Sequence, residues 1–159
     1  MTNATSLRII AALLFTSVVA LPAGDPAGFH IWKSSDIAAK GKELSAKLDA
    51  NKVASAVLDT VGNRTFMIAH REGSGQAEWH EKQADIIMIQ SGAVTMVYGG
   101  EVADGKTTAP GEIRGASIKG GTEALLGPGD VLHIPAKIPH MMKLAPGKTV
   151  TYFVTKVVE

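Results

Sequence analysis

The chain has 159 residues, 45% of them hydrophobic and 19% charged, which suits one domain with a real core and is too short for two ordinary ones. Its 16 basic and 15 acidic side chains nearly cancel and form no basic tract, which argues against nucleic acid and anionic membrane as partners, because both are met by clustered Lys and Arg. Cysteine is absent, so disulfides, thiolate metal sites, cysteine nucleophiles and a lipid-modified cysteine are excluded.

Residues 1–24 carry one charged side chain, Arg8, followed by the apolar run Ile9 to Phe15, a Thr16-Ser17 interruption, Val18 to Leu21, and small residues at Ala20, Ala23 and Gly24. An apolar middle of about 12 residues with a small-residue exit is the pattern of a secretory signal, whereas a membrane span needs roughly 20. Cleavage between Ala20 and Gly24 is expected to leave a periplasmic or secreted protein with no membrane attachment. An uncleaved anchor is the competing reading. Residues 25–52 then form a loop holding Phe29, His30 and Trp32, and a helical pattern from Asp36 to Ala50. Ser34 or Ser35 can cap this helix, Asp36 complements its positive end, and Ile37, Leu44 and Leu48 recur with Gly41 at helical spacing. The helix is expected to pack on the outside of a β-barrel.

Across residues 53–159 short apolar runs alternate with turn residues, the rhythm of an all-β sandwich or barrel. Strands are expected at Ala54 to Val61, Thr65 to Arg71, Gln76 to His80, Ile86 to Gln90 and Val94 to Tyr98. Further strands are expected near Ala116 to Ile118, Glu123 to Leu126, Val131 to Ile134, His140 to Leu144 and Thr149 to Val158. Gly62-Asn63 and Ser91-Gly92 mark tight turns. Gly99 to Gly121 is the longest irregular stretch, expected to be a loop that is either a functional rim or a surface insertion. The last strand is apolar on both faces, Tyr152 and Val154 against Phe153 and Val157, so it suits burial on two sides, for which pairing across a homodimer is one route.

Residues two apart on a strand share a face, so Glu78 and His80 project together while Trp79 points away. Such a pair on an inward face is costly to bury unless it is partnered or ligates a cation; on an outward face it is simply solvated. Extending the reading to Glu78-x-His80-x4-Asp85-x6-Gly92 and Gly129-x5-Pro135-x4-His140, the chain resembles the two motifs of the cupin superfamily, with Gly127-Pro128-Gly129-Asp130 and Ile138-Pro139-His140 as supporting phrases. The resemblance covers roughly residues 66 to 156. Departures are Glu78 in place of a His, Asp85 in place of the longer Glu, Lys137 in place of a Gly and Leu144 in place of an Asn.

The resemblance implies a single double-stranded β-helix (jelly-roll) barrel with one N-terminal helix and a divalent metal held by Glu78, His80, Asp85 and His140, with Gln83 as the substitute should Asp85 fall short. Two imidazoles and two carboxylates suit Mn²⁺ or Fe²⁺ best, with Zn²⁺ and Ni²⁺ as further candidates, and four ligands would leave two octahedral positions open. Candidate catalytic residues are His70, if the Phe66-Ile68-His70 face points inward, His133, if it lines the same cavity, and Arg114, as a clamp for a substrate carboxylate if its loop folds over the mouth. For His70 and His133 packing is the competing reading, for Arg114 a solvated side chain. The implied function is a metal-dependent oxidoreductase, isomerase or lyase acting on a small oxygenated molecule. The alternative is a non-catalytic module binding a small molecule, sugar or metal.

Overall fold

The computed structural model describes residues 24–159, so the expected export segment lies outside the described residues but for Gly24. The chain divides after His30. Before it, the described residues form a loop turned by the Phe29 N–H donating to the Pro26 carbonyl at 3.0 Å.

Helix α1 spans Ser34–Ser45, beginning before the expected Asp36 and stopping short of Ala50. Its last turn tightens, with the Ala46 and Lys47 N–H groups donating three residues back to Glu43 and Leu44. The Asp49 carboxylate then accepts the N–H groups of Asn51 at 2.9 Å and Val53 at 3.0 Å, a local turn that competes with continued helix. Neither serine caps the start: Lys33 is the N-cap, without a side-chain bond, and Ser34 Oγ instead accepts Gln90 Nε2 at 2.9 Å. Ile37 and Leu44 pack with Ile68, Trp32, Met88 and Phe153, so the helix covers the outer face of a sheet as expected. Gly41 is where it comes nearest, since a Cβ there would stand 2.6 Å from Thr151 Cγ2.

The strands are β1 (Val53–Val61), β2 (Arg64–Arg71), β3 (Ala77–His80), β4 (Gln83–Gly92), β5 (Val94–Tyr98), β6 (Glu101–Ala103), β7 (Lys106–Ala109), β8 (Glu112–Gly115), β9 (Ser117–Lys119), β10 (Thr122–Leu126), β11 (Val131–Ile134), β12 (His140–Lys143) and β13 (Val150–Val158). The stretch from Gly99 to Gly121 is therefore not a loop but four short strands, three of them missed because each is only three or four residues long and carries few apolar residues. Two antiparallel sheets, ordered β1-β2-β13-β4-β11 and β10-β5-β12-β3-β8-β7, enclose the main core, with β6 and β9 as a separate pair. Ile87, Ile89, Met96, Met142, Val150 and Val154 fill that core from both sheets. Strand β13 runs between β2 and β4 with both edges taken, so it offers no free edge to pair across a dimer, and its faces are covered within the chain, Tyr152 and Val154 by the main core and Phe153 by the cluster under α1. Among the described residues no helix is long and apolar enough to cross a membrane.

Candidate metal centre

Cross-strand register assembles the polar site. His140 on β12 lies opposite Glu78 on β3; Glu78 and His80 lie opposite Arg114 and Glu112 on β8; Asp85 on β4 lies opposite Lys156 on β13. Direct neighbours of this kind have Cβ atoms about 5 Å apart, so each acidic or imidazole group meets its partner without long side chains having to search for one. The turn before β12 bears on the same place: the Lys137 N–H donates to the His80 carbonyl at 2.7 Å. Lys137 holds φ 67°, the left-handed conformation that glycine takes without strain and that other residues rarely adopt.

Both histidines present a bare nitrogen to one point. The His80 Nδ1 donates to Glu112 Oε2 at 2.7 Å and the His140 Nδ1 to the Ile138 carbonyl at 3.0 Å. A carboxylate and a carbonyl can only accept, so each Nδ1 carries the proton and a neutral ring leaves Nε2 with its lone pair free. The Nε2 of His80 is buried and, among the described residues, has no hydrogen-bond partner. Glu78 Oε2 lies 3.6 Å from it and 4.0 Å from the Nε2 of His140, and the two rings are 5.2 Å apart. Ligand atoms of Glu78, His80 and His140 all fall within 4.8 Å of one another. Cis ligands bound at about 2.1 Å lie about 3 Å apart, so a small inward adjustment would close this set on an ion.

Charge is arranged to match. Burial holds His140 below its ordinary value against the pull of the Ile138 carbonyl, Glu78 and Asp85, which keeps the ring neutral at pH 7. For Glu78 burial works upward, but Arg114, His140, Lys156 and Arg71 outweigh it and set the carboxyl below its ordinary range. A neutral imidazole and an ionised carboxylate are the forms that bind metal.

Asp85 stands beside this set with a counter-ion of its own. Its Oδ2 is 3.8 Å from the Nε2 of both His80 and His140, yet Lys156 Nζ lies 2.9 Å from that oxygen and 3.1 Å from Oδ1, and Gln83 Nε2 donates to Oδ1 at 3.2 Å. Three of the four expected ligands thus form one set, while the fourth has a counter-ion of its own. Gln83 serves Asp85 and does not replace it.

The other candidates fare unequally. Arg114 sits on strand β8, not on a loop, with Nη2 3.5 Å from Glu78 Oε2 and Nη1 3.0 Å from Glu112 Oε2, so it stands beside the candidate ligands. His70 is on the wrong face of β2. Its Nδ1 is 2.8 Å from Thr151 Oγ1 under α1, because Met67, Ala69 and Arg71 are the residues that point inward. His133 is exposed on β11, opposite Ile86, and takes no part. Sequence reasoning missed Arg71, Glu112, Tyr152 and Lys156 as site residues. Arg71 and Glu112 were within reach, the first by shifting the β2 face by one residue and the second by pairing Glu112 with Arg114 across one strand face. Arg71, Tyr152 and Lys156 join Glu78, Asp85 and His140 in lining a cavity of about 210 Å³ between the two sheets.

Two antiparallel sheets around an inward polar cluster give this chain a cupin-like double-stranded β-helix (jelly-roll) fold. No protein-family model matches the chain, and no curated protein matches it. Among solved structures it is similar to a Thermus thermophilus protein (TM-score 0.52, 19% identity, 74% of this chain and 92% of that one) and to an oxalate oxidase (0.50, 13% identity, 69% and 53%). A cupin 2 conserved barrel domain protein from Rhodopseudomonas palustris aligns at 0.49, with 15% identity over 67% and 61% of the two chains. The chain spans about half the length of the oxalate oxidase.

Proposed function

We propose that this chain is a metal-dependent cupin-type enzyme that holds a divalent ion between Glu78, His80 and His140 and acts on a small oxygenated molecule. The observation that carries the reading is the buried Nε2 of His80, without a hydrogen-bond partner among the described residues and grouped with the Nε2 of His140 and the carboxylate of Glu78. A buried acceptor left without a partner costs about 1–3 kcal/mol, and a cation removes that cost. Two imidazoles and one carboxylate with open positions beside them suit Fe²⁺ or Mn²⁺, with Zn²⁺ and Ni²⁺ next. When bound, such an ion polarises substrate oxygen and neutralises developing negative charge. Glu112 fixes the His80 tautomer, the Ile138 carbonyl fixes that of His140, and Lys156 occupies the Asp85 carboxylate. The oxalate oxidase of similar fold is an enzyme, which fits the reading without choosing a reaction. The same proposal sets the protein outside the cytoplasm, on the strength of Arg8 and the apolar run after it.

One observation favours a second reading, a binding module that needs no metal: Glu78 already has Arg71 at 3.8 Å and Arg114 at 3.5 Å as counter-charges. Metal analysis separates the two, using protein purified without a metal-affinity tag beside a His80→Ala, His140→Ala double variant. Near-stoichiometric Fe or Mn, lost in a folded double variant, supports the enzyme. No metal in either, with the fold intact, leaves the binding module.

A further inference from the structure

We infer, resting on the proposed metal centre, that the cavity takes a small carboxylate anion and that the Arg71 guanidinium grips it. Arg71 is a half-buried cation whose hydrogen-bonding capacity, among the described residues, is mostly unspent. Its side chain is 13% exposed, its Nε donates to Tyr152 Oη at 3.0 Å, and its nearest acid, Glu78 Oε1, lies 3.8 Å from Nη2, beyond hydrogen-bond length. Of its five donors, one is used among the described residues. Arg71 and Glu78 both line the 210 Å³ cavity and also an outer pocket of about 200 Å³ near Gly75. Gly75 leaves room at the fork, since a Cβ there would come within 3.0 Å of Nη1. The bond to Tyr152 fixes the plane of the guanidinium, which is what two-pronged recognition of a carboxylate requires.

The charge balance points the same way. Arg71 and Lys156 offset Glu78 and Asp85 around the cavity, so a divalent ion leaves the site with two surplus positive charges. An anion restores neutrality; a sugar or an amine does not. Size limits the anion, because the cavity is below the ~300 Å³ at which pockets for larger organic ligands begin.

The test is calorimetric titration of malonate, and of uncharged malonamide, into metal-free and Mn²⁺-loaded protein, with Mn²⁺ binding measured separately in each variant. Malonate should bind the Mn²⁺-loaded wild type and malonamide should not. Arg71→Lys, which keeps the charge but loses the fork, should still take Mn²⁺ while its malonate Kd rises about tenfold or more. Tyr152→Phe, which only frees the fork, should weaken malonate in the same direction, and serves if the Arg71 variant does not fold. Malonamide binding as well as malonate, or unchanged malonate affinity in Mn²⁺-loaded variants, overturns the Arg71 assignment and leaves the metal centre standing. Arg71-dependent malonate binding in a wild type that takes no Mn²⁺ supports the clamp and removes the metal.

Discussion

Lys156→Met tests the division of labour inside the barrel. The Lys156 side chain is 25% exposed and that of Asp85 5%, so the substitution strands a carboxylate that has little water to turn to. Removing one partner of a buried pair costs about 3–5 kcal/mol; the partial exposure of Lys156 favours the lower end, about 3 kcal/mol. For a domain of this size that is a fall of about 10 °C in the melting temperature of metal-free protein. The freed Asp85 oxygen lies 3.8 Å from both Nε2 atoms, close enough to become a fourth ligand. Metal affinity should then rise, and Mn²⁺ should return a larger share of the lost stability than it adds to the wild type. Differential scanning calorimetry with and without Mn²⁺, alongside calorimetric Mn²⁺ titration, reads both effects. The reasoning is refuted if metal-free Lys156→Met melts with the wild type, or if its Mn²⁺ affinity falls.

Glu112→Gln should lower metal affinity by about 10–100-fold while leaving the fold intact, because the carboxylate that holds the His80 Nδ1–H is weakened but not removed; competition with a chelator measures it. Gly41→Ala should destabilise by about 1 kcal/mol, although helix propensity alone favours Ala by about that amount, because the added methyl meets Thr151 Cγ2 at 2.6 Å and Thr151 is tied to His70. Urea unfolding tests this, and Thr151→Ser should rescue part of the loss in the double variant. Burial raises the Tyr152 phenol above its ordinary value of 10.0 against the opposing pull of Arg71, so the folded state holds that proton more tightly than the unfolded chain. Its contribution is complete below pH 10 and is lost as pH rises through the folded value. Wild type should therefore lose stability relative to Tyr152→Phe as pH rises above 10, and a pH-independent difference would contradict the assignment.

The barrel was legible because most strands carry the signals that set them: alternating or continuous apolar residues ended by Gly62-Asn63 or by Gly92, which holds φ 79° where a Cβ would strike the Thr149 carbonyl. Strands β6, β7 and β8 carry no such alternation and exist by pairing with neighbours the sequence does not reveal. The three candidate ligands were legible because Glu78 and His80 share a strand face and His140 comes after a recognisable Pro-containing turn. Their partners were not, since Glu112 and Lys156 reach the site only through cross-strand register with His80 and Asp85. A one-residue ambiguity of face on β2 was enough to nominate His70 and overlook Arg71, which lies next to it in the chain and on the opposite side of the sheet.

The most direct measurement is anomalous diffraction from crystals of the tag-free protein grown with Mn²⁺, collected on both sides of the manganese absorption edge. A single strong anomalous peak bonded to Glu78 and to the Nε2 atoms of His80 and His140, with Asp85 still on Lys156, is the expected result. No peak there, or a peak held by surface carboxylates while both imidazoles keep their present spacing, would contradict the metal centre.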